Sequence, residues 1–280
     1  MSIKVKDADG SDKYYGTTGD GGSTGDPFYG LVGDYYGEMA LGNVQDRSIS
    51  TKFGKNSDVD VGTPEDVWEG GGTYTGFPES FTPETVTVVS TDTDDTSAGT
   101  GARTIRITGL ATSTSESYTT EDLTMNGTTN VTSVGTWWRV NRIQVLTAGS
   151  SGINEGTITC NSTTTTANVF GAVQPLYGQS TIGAFTVPNN TTCLIKRVRA
   201  SITRANGSAG SASMALQIRE PSGAWQSKIV FELGTDSPTE FTMLGGIVAP
   251  EGSDIKARVL SVSDANTICE IAMEYVFIDD

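Results

Sequence analysis

The side chains that could do chemistry in this chain are carboxylates, because its 280 residues include no histidine. Without histidine, a Ser-His-Asp or Cys-His device, a histidine metal ligand and a histidine pH switch are excluded. Two carboxylates at a fixed separation are sufficient for glycoside hydrolysis. The candidates for such a pair are Asp66, Glu69, Asp92, Asp94, Asp95, Glu116, Glu121 and Asp122. The pattern around them favours solvated loop charges, so we predict that the protein is not an enzyme.

A second chemical option is structural calcium. Asp7, Asp9 and Asp12 place hard oxygen ligands at alternate positions, as a calcium loop requires. The twelfth position of such a loop would be Thr18, where a bidentate acid is expected. Residues 92–95 form an equally loose candidate. The favoured interpretation is a polar loop at both places, with no cofactor, and structural calcium is the alternative.

For the cysteines and the aromatic residues, a structural role is more common than a chemical one. Cys160, Cys193 and Cys269 show no zinc spacing, so we predict buried apolar strand residues, with a disulfide pair as the alternative. Flat aromatic side chains could stack on sugars, but packing in a core or an interface is their more frequent role. The aromatic residues considered for a sugar platform are Trp68, Tyr74, Phe77, Trp137, Trp138 and Trp225.

The charge of the chain limits its partners. The net charge is −15, and most of the acidity lies in residues 1–165. Nucleic-acid binding needs clustered Lys and Arg, and anionic membrane surfaces attract the same residues, so we predict neither partner. No apolar stretch approaches the roughly 20 residues that cross a bilayer, and polar residues follow Met1, which predicts synthesis in the cytosol.

Residues 1–62 differ from the rest of the chain. Eight glycines interrupt residues 16–37, which leaves neither a helical nor a strand period. Exposed aromatic side chains on such a segment favour docking on a partner. We therefore predict an extended Gly/Tyr-rich arm that orders against a neighbouring subunit. Its predicted interface residues are Tyr14, Tyr15, Phe28, Tyr29, Tyr35 and Tyr36.

The remaining sequence predicts an all-β protein with two β-sandwich, jelly-roll-like domains, at residues 63–174 and 175–280. Short alternating segments recur between turn clusters, as in a sandwich or barrel. Asn126-Gly127 favours a hairpin turn after the strand that ends near residue 125. Residues 268–278 are apolar on both faces, which predicts a central strand. Residues 63–68 carry a capping Thr and a Pro, which predicts one helical turn.

Several segments together resemble a family of tailed-bacteriophage virion proteins. They are residues 50–56, 65–78, 95–104, 123–128, 139–142 and 253–256. The resemblance covers about residues 45–280 and leaves the Gly-rich arm outside. It implies a place in the virion, as a head decoration or cement protein bound to the major capsid protein. A tail or fibre component that binds a receptor or carbohydrate is the alternative.

The same resemblance and the arm favour a homo-oligomer, since repeated subunits of a particle take closed symmetry. We expect a trimer. The acidic N-terminal part would then face basic patches on the shell, which sets orientation more than affinity.

Overall fold

The computed structural model describes residues 3–6, 12–15, 35–78, 82–165, 168–204, 210–235 and 238–279. The chain begins with β1 (Ile3–Lys6) and β2 (Asp12–Tyr15), an antiparallel pair that forms its own two-stranded sheet. A short helix, α1 (Tyr35–Ala40), follows. All other elements are strands, which confirms the predicted all-β class.

The first sandwich contains residues from the middle of the chain. Its strands are β5 (Val86–Ser90), β6 (Ala102–Leu110), β7 (Thr119–Thr124), β8 (Val131–Thr132), β9 (Arg139–Ala148), β10 (Ile158–Ser162) and β11 (Val169–Val173). One sheet has the order β11-β10-β5-β8, and the other has the order β7-β6-β9. Alternate residues of β5 and β10 are buried, so one face of each strand enters a core that includes Val88, Ile107, Ile143 and Phe170.

The second sandwich combines both halves of the chain. Its strands are β3 (Arg47–Val59), β4 (Glu65–Asp66), β12 (Ala184–Thr186), β13 (Thr191–Arg204), β14 (Ser211–Arg219), β15 (Gln226–Gly234), β16 (Thr239–Ala249), β17 (Asp254–Val262) and β18 (Thr267–Asp279). One sheet has the order β16-β13-β18-β3. The other has the order β12-β17-β14-β15, with β4 also paired to β17. The central position of β18 confirms the prediction made from its two apolar faces.

The predicted arm is too long. Residues 47–59 form β3, which pairs with β18 along most of its length, so this segment belongs to the second sandwich. The sequence concealed this strand because its inward residues are Lys52, Gly54 and Asn56, which lack the usual apolar alternation. The predicted helical turn at 63–68 is also wrong: residues 65 and 66 form β4, and the described helix is α1.

The predicted hairpin at Asn126-Gly127 is wrong as well. Gly127 has a φ of 59°, as such a turn requires, but β7 does not pair with the next strand. Instead β8 pairs with β5 in the opposite sheet, so the turn carries the chain from one sheet to the other. The Gly127 amide donates to the Asp95 carbonyl, which fixes this crossing.

The two sandwiches share a seam, which consists of residues 177–183 and the strands β3, β9 and β17 that bond to them. Along one edge, this segment exchanges backbone hydrogen bonds with β9, where Ser180 N donates to Ile143 O at 2.9 Å. Along the other edge, Lys55 N of β3 donates to Thr181 O at 3.0 Å. A Cβ on Gly54 would lie 2.2 Å from Gly183 N, so only glycine allows this approach. The seam therefore joins the sheets through the backbone.

Candidate interaction surface

Buried charges cross the seam at Asp254 on β17. Its Oδ1 accepts from Arg139 Nε of the first sandwich at 3.2 Å, and its Oδ2 accepts from Arg219 Nη2 at 2.7 Å. The Thr186 hydroxyl donates to the same carboxylate at 2.6 Å. The carboxylate is 6% exposed, so the three donors together satisfy a charge that water barely reaches.

A second buried carboxylate, Asp66 on β4, lies against β17. It accepts from Lys256 Nζ at 3.0 Å, from Arg258 Nη1 at 2.9 Å and from the Tyr74 amide at 2.8 Å. Burial lowers the pKa of Lys256, and the neighbouring Asp66 acts in the opposite direction. These contacts hold β4 on the sheet of the second sandwich.

Aromatic rings cover the cations of the seam. The Arg139 guanidinium lies 4.1 Å from the Trp138 ring, and the Trp225 ring lies 4.5 Å from Lys256 Nζ and 4.8 Å from Arg219. Such contacts stabilise cations that are partly removed from water. Trp138 and Trp225 are therefore occupied by neighbours from their own chain.

The remaining candidates for a sugar platform are buried: Trp68, Tyr74, Phe77 and Trp137. Trp68, Tyr74 and Phe77 pack edge to face in series, with ring centroids 5.2 and 5.0 Å apart. A common exposed platform of six aromatic residues is therefore wrong, and their packing in cores and at the seam is confirmed.

One amine of the seam has no carboxylate in hydrogen-bond contact. Lys52 on β3 is buried, and its Nζ donates to the Asn141 backbone carbonyl on β9. Burial lowers the pKa of Lys52 to about 7, and the nearby Arg142 acts in the same direction.

Glu69 is a carboxylate of the same region. It accepts from the Ala172 amide and the Thr181 hydroxyl, and burial raises its pKa to about 7.

Several of the carboxylates considered for catalysis accept structural hydrogen bonds. Asp95 is fully buried and accepts from the Ser90 hydroxyl and from the amides of Ala102, Glu155 and Gly156. These donors occupy both of its oxygens, so Asp95 is a poor calcium ligand. Among the described residues, no group of three His, Cys, Asp or Glu side chains could hold a metal ion.

Two carboxylates of β7 also serve the first sandwich. Glu121 accepts from the Val134 and Gly135 amides at 2.7 and 3.0 Å. Asp122 accepts two hydrogen bonds from Arg106 on β6, at 2.7 and 2.8 Å, and the Arg106 bond lowers the pKa of Asp122. More of these carboxylates therefore hold the fold together than the prediction of solvated loop charges implies.

The predicted sites at the N-terminus are described only in part. Asp7, Asp9, Phe28 and Tyr29 lie outside the described residues, as does Thr18. Asp12, Tyr14 and Tyr15 belong to β2. The calcium prediction at Asp7, Asp9 and Asp12 stays a prediction.

Tyr35 and Tyr36 are the predicted interface residues that the structure describes with their side chains. Both lie on α1, with their rings 5.8 Å apart. The Tyr35 hydroxyl accepts from Arg47 Nη1, whereas Tyr36 is 47% exposed. The helix packs against β3, so Tyr36 is the more available of the two for a partner.

The three cysteines are buried and free, which confirms the interpretation as apolar strand residues. Burial raises the pKa of each thiol. In the part of the chain that the structure describes, no helix is long and apolar enough to cross a membrane.

The second sandwich is open along its outer side, which is formed by β15 and β16. Each is the last strand of its sheet among the described residues. The two edges meet through Phe231 and Phe241, whose rings lie 5.1 Å apart. The large apolar side chains exposed here are Val230 at 51%, Phe241 at 38%, Leu244 at 97% and Val248 at 57%. Sequence alternation missed this surface because Leu244 and its neighbours interrupt the strand pattern.

In the first sandwich, β8 lies at the end of its sheet away from β11, and β7 lies at the end of its sheet away from β9. Val134, which follows β8, is 92% exposed. Each sandwich therefore has an outer edge with exposed apolar side chains, and we call these two edges the ends of the molecule.

Comparisons with known proteins assign no family. No family model matches the chain, and no curated protein matches it. Among solved structures, it is similar to the infectious bursal disease virus Gx strain structure, with 10% identity and a TM-score of 0.24. That alignment covers 83% of this chain and 72% of the other. For the Gt strain structure, identity is 11%, the TM-score is 0.21, and coverage is 84% and 73%. At these TM-scores the likeness assigns neither fold nor function.

Proposed function

We propose that this protein is a non-enzymatic structural protein of a bacteriophage virion, a decoration or cement protein that binds and stabilises the head shell. The observation that carries the proposal is the combination of a seam fixed by buried charges with apolar side chains exposed at both ends. A protein of this kind keeps a fixed shape, and its exposed apolar side chains can bind neighbouring subunits. The resemblance to tailed-bacteriophage virion proteins supports the same function.

The roles of the carboxylates support a structural function. Asp66, Asp95 and Asp254 each accept several hydrogen bonds that hold strands or loops together. A catalytic carboxylate needs access to a substrate, and these three residues are each buried, with at most 4% of the whole residue exposed.

In this proposal the partners are the major capsid protein and further copies of the chain, as a trimer, in virions assembled in the host cytoplasm. The arm contributes its aromatic residues to these contacts. The net charge of −15 makes nucleic acid and anionic membranes poor partners.

The copy number in purified virions tests the proposal. We expect a band on a stained gel whose amount is comparable to that of the major capsid protein. A small copy number set by the symmetry of the tail would instead support a tail or fibre component. Absence from purified virions would contradict both.

A second measurement distinguishes a protein that stabilises the head from one that is only present in the virion. Heads of a phage that lacks the protein should release their DNA at a lower temperature than wild-type heads, and added purified protein should restore the difference. Unchanged release temperatures would contradict the cement role.

The alternative, receptor binding, has its own test. Glycan binding should be lost in Trp138→Ala or Trp225→Ala, while the melting temperature stays that of the wild type.

A further inference from the structure

A cavity of about 350 Å³ lies on the outer face of the second sandwich, beside the seam. Two cross-strand rows of side chains form its floor and rim. In the first row, Arg199 of β13 and Phe53 of β3 stand on either side of Ala272 of β18. The methyl group of Ala272 is too small to fill the space between these two large neighbours. The register of the three strands therefore leaves a depression at this point.

The second row supplies hydrogen-bonding groups of both kinds. Ser201, Glu270 and Lys55 stand side by side on β13, β18 and β3. Lys55 Nζ lies 3.4 Å from Glu270 Oε1, and the Ser201 hydroxyl donates to Glu270 Oε2 at 3.4 Å. Lys55 Nζ also donates to the Tyr177 hydroxyl of the seam at 2.9 Å. The seam side of the cavity is thus bonded to this row.

Arg199 differs from its charged neighbours because its guanidinium is unpaired. The next cation on the same face, Arg197, pairs with Glu240 and Glu274, each at 3.6 Å. Glu240 also stands opposite Arg199 in the register of β13 with β16, but its carboxylate pairs with Arg197. Within the part of the chain that the structure describes, the Arg199 guanidinium has no ion pair and no hydrogen bond. The cavity therefore contains one cation whose donors are free.

The chemistry of these groups defines a ligand. A guanidinium with free donors binds a carboxylate through two parallel hydrogen bonds. The row of Ser201, Glu270 and Lys55 places donors beside an acceptor, which matches neighbouring hydroxyl groups, since each hydroxyl both donates and accepts. Phe53 and Tyr177 add aromatic surface for an apolar ring face. A sugar acid combines all three features, and a cavity of about 350 Å³ is large enough for a small molecule.

We propose that this cavity binds one acidic sugar unit, a uronate, with its carboxylate on Arg199 and its hydroxyls on the row of Ser201, Glu270 and Lys55. The site goes beyond the proposed structural function, because stabilising a shell requires no sugar ligand. Its aromatic residues differ from the six that the sequence suggested for a sugar platform. Many copies on one particle would bind an acidic polysaccharide jointly, so weak binding at each site is sufficient.

The test titrates the purified full chain with methyl β-glucuronide, and with methyl β-glucoside as the neutral analogue. Calorimetry or ligand-observed NMR measures the two dissociation constants. We expect the glucuronide to bind and the glucoside to bind at least about tenfold more weakly, because hydrogen bonds to charged groups are the stronger ones. This difference assigns the ligand class.

Three substitutions locate the site. Arg199→Gln removes the free cation and should weaken glucuronide binding at least about tenfold while glucoside binding is unchanged. Ala272→Leu fills the depression and should weaken the binding of both glycosides. Arg197→Gln is the matched control, because this arginine shares the strand and face of Arg199 but pairs with Glu240 and Glu274. It should change glucuronide affinity by less than about twofold. All three substituted residues are exposed, so their melting temperatures should match the wild type.

Three outcomes would overturn the inference. The first is a wild-type chain that binds neither glycoside at millimolar concentrations. The second is equal affinity for the two glycosides, or an equal loss in Arg199→Gln and Arg197→Gln, either of which would contradict a carboxylate contact with Arg199. The third is competition by inorganic phosphate as strong as by the glucuronide, which would show a site for anions in general. None of these outcomes bears on whether the protein is present in virions.

Discussion

The seam and the outer ends of this molecule use opposite kinds of side chain. At the seam, Asp254 and Asp66 are buried against arginines and lysines from distant parts of the chain. At the ends, Leu244 and Val134 are exposed to solvent. A buried charge with all of its partners tolerates few alternative arrangements, whereas an exposed apolar group gains from any partner that covers it. The seam is thus suited to fixing the internal geometry, and the ends are suited to association.

The largest expected effect comes from breaking the seam. Asp254→Ala leaves Arg139 and Arg219 buried without their carboxylate, and it should lower the free energy of unfolding by about 3 to 5 kcal/mol. Urea denaturation measures this change. Asp254→Asn keeps the shape of the side chain and so separates the loss of charge from the loss of packing.

The matched control for Asp254 is an exposed ion pair of the first sandwich. Asp122 binds Arg106 with two hydrogen bonds of similar length, but both side chains contact water. Asp122→Ala should leave the free energy of unfolding unchanged within the error of the measurement. Equal effects of Asp254→Ala and Asp122→Ala would contradict the distinction between the seam and the ends.

A smaller effect is expected for Asp95, which is buried but has no cationic partner. Asp95→Ala removes the acceptor for three backbone amides and the Ser90 hydroxyl, and it should cost about 2 to 4 kcal/mol. The comparison with Asp254 shows how much of the seam's stability depends on cations rather than on hydrogen bonding. A cost as large as that of Asp254→Ala would assign most of the effect to hydrogen bonds.

The smallest and most specific effect concerns Lys52, the seam amine without a carboxylate contact. Its pKa is about 7 in the folded protein and 10.5 when unperturbed, so between these values the unfolded chain holds more protons. Stability should therefore rise with pH from about 7 to about 10.5. Lys52→Met should lack this rise and should be more stable than the wild type at pH 7 by about 1 to 3 kcal/mol.

Glu69 should give the pH dependence of stability the opposite sign, in the same region of the molecule. Its pKa is about 7 in the folded protein and 4.5 when unperturbed, so the folded chain holds more protons between these values. Stability should fall as pH rises from about 4.5 to about 7, and Glu69→Gln should lack this fall. Melting temperatures across both pH ranges test the pair. The exposed Lys228→Met is the control, and a pH profile of Lys52→Met identical to the wild type would contradict the assignment.

The sequence predicted the parts of the fold that depend on apolar alternation. The strands β5, β6, β13 and β18 were predicted because their buried faces are aliphatic. It failed at β3, whose inward residues are polar or glycine. Lys52 bonds to Asn141 and Gly54 approaches Gly183 at the seam, whereas Asn56 bonds to β4. No local pattern indicates that Lys52 will contact Asn141, which lies 89 positions away in the chain.

The candidate surface was even less accessible to sequence reasoning. The carboxylates were noticed as possible catalytic or calcium residues, but their partners come from other strands and are visible only in the folded chain. Leu244 carries no sequence signal, because its exposure depends on a bulge opposite Lys196. The aromatic residues of the arm, by contrast, were identified by type alone, and their role as an interface remains a prediction.

The pairing of β3 with β18 has a consequence for synthesis on the ribosome. β3 ends at Val59 and its partner begins at Thr267, so about 200 residues must be added before the pair can form. At typical elongation rates this delay is about 10 to 40 s. The first sandwich lies between these strands and can fold during that time. Until its partner is made, β3 is unpaired. Its inward residues are Lys52, Gly54 and Asn56, so it is less prone to aggregate than an aliphatic strand would be, and its polarity also protects the nascent chain.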